Sequence, residues 1–278
     1  MLTRFIAVVY LAASVTSSVN FDNLNTAAAA VVAANGASGF ITPSSNLKGW
    51  GMTSTTASEQ AALRIAGTWQ LAAAAVLLAP VESLSSSVPY AAAAAILLSI
   101  PSIETNGETQ KPKANCERHF VQQLTVTLTL TLTSQYKITT GGDMAPPAAW
   151  IAFLAGLGKY ASQNDVHPGV NTGLWVVNSL AWYLYPEKQS SIYGMAKLSK
   201  RATALQTVQG QAMLSTAAYL GALQLGRTRA EAFAVSWAVQ SATALRFALT
   251  KADDVDCSRS GVYIWAALSA GIAALALA

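Results

Sequence analysis

A long-period echo within the chain restricts its folds more than any other feature. Pro43, Gly51, Met52, Gly67, Leu71, Ala74, Ala75, Leu77 and Ala79 recur as Pro186, Gly194, Met195, Gly210, Leu214, Ala217, Ala218, Leu220 and Ala222, each pair 143 residues apart (186 − 43, 222 − 79). Trp50 with Tyr193, and Tyr90 with Phe233, keep the same step. Solenoid units repeat every ~20–50 residues, so a period this long marks a doubled domain.

The surface of that domain cannot be an ordinary aqueous one. Only 11% of the residues are charged and 53% are hydrophobic, whereas soluble domains carry about a quarter charged residues. Eight apolar segments follow one another: Leu24–Thr42, Gln60–Pro80, Ser86–Ile103 and Ala145–Tyr160, then Gly169–Tyr185, Ala202–Leu225, Ala230–Leu249 and Gly261–Ala278. A helix crosses the hydrocarbon in about 17–25 residues. The first segment is the weakest, broken by Asn35, Gly36, Ser38 and Gly39. The expected fold is an all-α membrane protein. It has two parallel-repeat four-helix transmembrane bundles, about eight spans, after an N-terminal signal peptide.

The signal occupies residues 1–20, with Arg4, an apolar run from Phe5 to Ala13, then Ser14 to Ser17, the layout of a secretory leader. The first repeat covers 21–161 and the second 162–278. Trp150…Gly156 matches Trp265…Gly271 at a step of 115 instead of 143, so the first repeat carries about 28 extra residues. They fall in an insert at about 104–141. Leu124 to Thr133 alternates Leu or Val with Thr throughout, which is a strand period. A lone strand must pair or lie on a surface; the alternatives are filler or a retained intron.

Four spans per repeat return each copy to the side where it began, giving parallel rather than inverted repeats. Loop charge agrees. One side collects Lys48, Lys111, Lys113, Arg118, Lys137, Lys188, Lys197, Lys200, Arg201, Lys251 and Arg259; the other has Lys159, Arg227 and Arg229. By the positive-inside rule the termini are non-cytoplasmic. Localisation follows the secretory route, to endomembranes, the cell surface or a plastid.

Few functional classes are recruited. The net charge of +4 is dispersed, without the basic tract that tracks a phosphate backbone, so nucleic acid is excluded as a partner. Cys116 and Cys257 form no CxxC, and the two histidines, His119 and His167, have no partner at helical spacing. Neither HExxH, GxGxxG nor a Walker loop occurs, so no catalytic residue, metal or cofactor is assigned.

The candidate ligand-binding residues are polar groups on apolar helices: Arg64, Gln70, Gln206, Gln209, Gln211 and Gln240, with Asn35, Asn178 and Ser236 nearby in pattern. An intramembrane Arg is costly enough to imply a role, although near a helix end it can snorkel. Buried amides in lipid need partners and therefore face inward, as interhelical bonds or as ligand contacts. Gly67, Ala75, Ala79, Gly210, Ala218 and Ala222 suit close helix packing. Trp50-Gly51-Met52 and Tyr193-Gly194-Met195 read as interfacial turns.

The order is helix, Pro43, Trp50-Gly51, then Leu63-Arg64-x-x-Gly67 entering an Ala/Leu-rich helix, then two further helices. It resembles small four-helix DoxX-like membrane proteins over most of both halves. The resemblance implies the fold more than an activity, and the second copy has Thr207 where the first has Arg64. The leading expectation is a non-enzymatic protein in the lipid bilayer that binds or moves a small apolar or amphipathic molecule (lipid, quinone or pigment). The alternatives are a structural or assembly subunit beside other membrane subunits, and a membrane oxidoreductase or transferase using Arg64 and the amides.

Overall fold

The computed structural model describes residues 20–104, 145–164, 167, 169–192 and 198–278. The leader, the Leu/Thr alternation and Tyr193-Gly194-Met195 lie outside them. The described residues are helical throughout, joined by short turns. The first half contributes α1 (Phe21–Ile41), α2 (Pro43–Gly49), α3 (Ala57–Leu78), α4 (Leu84–Glu104) and α5 (Ala145–Gln163). The second contributes α6 (Gly169–Leu184), α7 (Pro186–Ile192), α8 (Lys200–Gln224), α9 (Arg229–Thr250) and α10 (Arg259–Leu275).

Local chemistry sets the boundaries. Thr56 caps α3 through Glu59 N and receives the reciprocal bond from the Glu59 carboxylate; Thr228 and Glu231 do the same for α9. Such boxes satisfy N–H groups that a helix start leaves bare. Ser199 caps α8 through Ala202 N, and it lies 143 residues after Thr56. Pro43 and Pro186 each open a seven-residue helix, where a missing N–H costs nothing, and Trp50 and Gly51 turn the chain after the first of these helices. Gly51 ends the first of them at φ 99°, a conformation that only glycine enters freely.

Helix α1 is unbroken despite Asn35, Gly36, Ser38 and Gly39, because tertiary contact replaces what propensity lacks. Those glycines admit a neighbour: a Cβ on Gly67 would lie 2.5 Å from Gly36 O and 2.9 Å from Phe40 N. In the second half a Cβ on Gly210 would lie 2.5 Å from Tyr183 N and 2.7 Å from its Cα. Phe40 and Tyr183 are again 143 residues apart. Ala79 and Ala222 are buried, Ala218 is half-buried and Ala75 is exposed.

Each half is a folded ribbon of helices, with α1 on α3, α3 on α4 and α4 on α5; then α6 on α8, α8 on α9 and α9 on α10. The halves meet where α3 packs along α8. These two helices run parallel and in register. At their starts Glu59 meets Arg201, and further along Gln70 and Ala73 share a cleft with Ala212 and Ser215.

The buried centre mixes alanines and large apolar residues such as Leu47, Phe233 and Trp69 with Asn25, Thr68, Ser99, Gln206, Gln209, Thr216 and Ser269, while Ile41, Val177, Leu225 and Leu249 are 71%, 70%, 82% and 60% exposed. Three helices, Phe21–Ile41, Ala57–Leu78 and Val81–Ile100, are long and apolar enough to cross a membrane. The expected eight is thus larger than the number meeting that test. Helices α6 and α10 have only 16 and 17 residues, and α8 dilutes its apolar content with four glutamines and three threonines.

Candidate ligand clefts between the two halves

Two open clefts flank the α3–α8 contact. The first is walled by Val32 and Asn35 of α1, Gln70, Ala73 and Leu77 of α3, Ala212, Ser215 and Thr216 of α8, Ser236, Trp237 and Gln240 of α9, and Trp265 of α10. The second is walled by Trp69 of α3, Val88, Pro89, Ala92 and Ile96 of α4, Trp150 and Leu154 of α5, and Asn171, Leu174, Trp175 and Asn178 of α6.

The clefts occupy matching positions. Val32 and Trp175, Asn35 and Asn178, and Trp69 and Ala212 are each 143 residues apart, and Trp150 and Trp265 are 115 apart. Each cleft therefore takes the first helix of one half and the third and fourth helices of the other.

In the first cleft the Asn35 amide donates to Gln70 Oε1 at 2.9 Å. The Ser236 hydroxyl donates to Ser215 O at 2.8 Å, so these two bonds tie α1 to α3 and α9 to α8, while Thr216 donates to Ala212 O within α8 at 3.0 Å. Two groups stay unengaged among the described residues: the side-chain amide of Gln240 and the indole N–H of Trp237, which is 3% exposed. A buried donor without an acceptor costs about 1–3 kcal/mol.

Of the sequence candidates, Gln70 and Gln240 line this cleft. Gln211 lies behind it, donating to Gln240 O at 3.1 Å. Gln206 and Gln209 line neither cleft. Gln206 is fully buried with both amide atoms unpartnered, and Gln209 donates to the Met213 sulfur at 3.8 Å. Arg64 is half-buried, forms no hydrogen bond or ion pair among the described residues, and lines neither cleft. The tryptophans were the residues sequence reasoning missed. Trp150 and Trp265 stood out in the repeat register, yet their meeting with the other half could not be read from spacing.

Polar clasps hold the halves together at both ends. At one, the Arg201 guanidinium lies 3.3 Å from the buried Glu59 carboxylate and donates to Ser54 O at 3.3 Å. Ser258 N also crosses, donating to Trp50 O at 3.1 Å. Within the second half Lys200 pairs with Asp254 at 2.8 Å, its hydrogen bond holding the Asp254 carboxyl below the usual carboxylate range, and Arg259 pairs with Asp253. In the same connection, burial pushes the Cys257 thiol up to about 11, which makes it a poor nucleophile. At the other end, Arg229 and Asn25 both donate to Leu77 O, at 3.1 and 3.0 Å.

The cleft linings are amides, hydroxyls, indoles and apolar groups, and no lining residue titrates near neutral pH. Such walls hold and orient a molecule by stacking and hydrogen bonding. Among the described residues no three His, Cys, Asp or Glu side chains group to hold a metal. No family model, curated protein or solved structure matches the chain.

Proposed function

We propose that the chain is an integral membrane protein, two copies of a four-helix unit joined head to tail, that binds a small amphipathic molecule between them. The observation that carries the binding role is the first cleft, where a buried Trp237 N–H and the Gln240 amide stand unengaged in largely apolar walls. Sites for small molecules are mostly apolar with a few placed polar groups. A lipid, quinone or pigment supplies the matching combination of apolar bulk and a hydrogen-bonding head.

Membrane residence is supported by the outward-facing apolar side chains, the inward-facing amides and the three long apolar helices. The copied unit is supported by the shared step in the sequence, in the Thr56 and Ser199 caps, and in the glycine crossings. In this reading all eight long helices span, the shorter ones shielded by neighbours. The DoxX-like resemblance belongs to it as well. The parallel course of α3 and α8 supports a reading in which both copies stand the same way up. Lys48, Lys188, Lys200, Arg201, Lys251 and Arg259 then share the cytoplasmic end, with the termini opposite. The leader delivers the chain to the secretory route.

Mass spectrometry of the full chain purified in mild detergent tests the function. An amphiphile is expected in stoichiometric amount, and Gln240→Leu and Trp237→Phe should deplete it while the helical content stays unchanged. A chain carrying only the bulk lipid seen on unrelated membrane proteins would overturn the reading. Stoichiometric protein subunits in place of a small molecule would favour an assembly role, which the exposed Ile41, Val177 and Leu225 would also serve.

A further inference from the structure

The two clefts match in position but differ in lining, and the differences share one direction. In the first, the Asn35 amide is spent on Gln70. One step of 143 residues onward from Gln70 stands Met213, a thioether with no comparable acceptor. Asn178, the counterpart of Asn35, accordingly makes no hydrogen bond among the described residues and stays half-buried in the second cleft.

Aromatic content changes in parallel. Where the first cleft has Val32 and Ala212, the second has Trp175 and Trp69. Those two indoles meet edge to face, with centroids 5.6 Å apart. The Trp175 N–H is already committed to Met213 O at 2.8 Å, so this ring offers its face and edge rather than its donor. Trp150, 40% exposed, stands as a third indole at the rim, edge-on to Phe153 at 5.7 Å.

We propose that the second cleft binds a neutral planar ring that bears a carbonyl or hydroxyl oxygen and an apolar tail, the chemistry of a quinone. This rests on the reading of the clefts as ligand sites. The exposed face of Trp150 supplies a stacking surface for a flat conjugated system, with Trp69 and Trp175, 3% and 5% exposed, walling the cleft behind it, and aromatic pairs prefer offset or edge-to-face contact. Asn178 supplies a donor and an acceptor for the ring oxygen. Neutrality follows from placement. Trp69 and Trp175 stand near the middle of α3 and α6, no carboxylate lines the cleft, and an unpaired charge at that depth is costly. A quaternary ammonium, the other common guest of tryptophan boxes, lacks a counter-charge here. The exposed Trp150 rim leaves the tail a way out toward lipid.

Equilibrium dialysis of the purified full chain in detergent, with tritiated decyl-benzoquinone as probe and decanol as ringless competitor, tests the assignment. One saturable site is expected that decanol does not displace. Asn178→Leu and Trp150→Ala should each weaken it about ten-fold, the worth of one good contact, while Arg64→Ala, at a residue that lines neither cleft, leaves it unchanged. Trp150 is half-exposed, so its variant reports binding even where Asn178→Leu fails to fold. Loss in Gln240→Leu with retention in Trp150→Ala would move the ring to the first cleft, overturning this assignment while sparing the proposed function. An absence of saturable quinone binding would overturn it too. In that case a co-purified amphiphile of another class would preserve the broader reading, and its absence would remove both.

Discussion

Gly210→Ala isolates the helix crossing on which each half is built. The added methyl would lie 2.5 and 2.7 Å from Tyr183 N and Cα and 2.8 Å from Trp182 C, against ~3.5–4.0 Å for comfortable contact. All three are backbone atoms of α6, so relief requires the two helices to part by about 1 Å. Overpacking of this kind costs ~1–3 kcal/mol, and the rigid target puts this case at the upper end. Alanine also gains ~1 kcal/mol over glycine in a helix interior, so a raw measurement would understate the clash. Gly156→Ala in α5 removes that ambiguity, since nothing lies within 4 Å of its added carbon. The propensity gain is common to both variants, and the difference between them, about 2–3 kcal/mol, is the clash alone. Unfolding in a mixed-micelle denaturant series, read by circular dichroism, measures it. Gly67→Ala, facing Gly36 O and Phe40 N, should fall beside Gly210→Ala. Equal stability of the Gly156 and Gly210 variants would refute the close-crossing argument.

The remaining predictions concern charged groups. Arg64→Ala should change stability by no more than about 0.5 kcal/mol, as for surface substitutions, and leave retention of the co-purified molecule intact; depletion of that molecule would return Arg64 to the site. Glu59→Ala removes both the α3 capping box and the buried partner of Arg201, a loss of about 3 kcal/mol in the same unfolding assay; a neutral result would show the clasp to be idle. The depressed Asp254 carboxyl fixes the sign of a pH effect. Its contribution is fully present above the ordinary carboxylate pKa of about 3.9 and disappears as pH falls through the lower folded value. Asp254→Asn should therefore lower thermal stability slightly at neutral pH and converge with the parent chain as pH falls below about 4, which flattens the acid limb.

Much of the helical layout was legible, and the misses have physical causes. The segment Gln60–Pro80 is Ala57–Leu78 in the structure, because a capping box begins a helix with polar residues that hydropathy overlooks. Helix α1 looked broken because Asn35, Gly36, Ser38 and Gly39 are weak helix formers, and only the facing Gly67 explains why they are tolerated. The short α2 was hidden in the Pro43 connection, where seven residues leave too little periodicity to recognise. The amides showed the same limit. Periodicity places Gln206, Gln209, Gln211 and Gln70 along their helices, yet which face meets a cleft depends on neighbours far away in the chain. Gln70 finds Asn35 across 35 residues, and Gln240 shares its cleft with Val32 of the first helix. The tryptophans were visible only as landmarks of the repeat.

Each cleft borrows walls from both halves, α1 and α3 joining α8, α9 and α10 in one, and α6 joining α3, α4 and α5 in the other. Both clefts therefore depend on the two halves staying together, and the Gln70/Met213 and Ala212/Trp69 contrasts give the two chambers different surroundings.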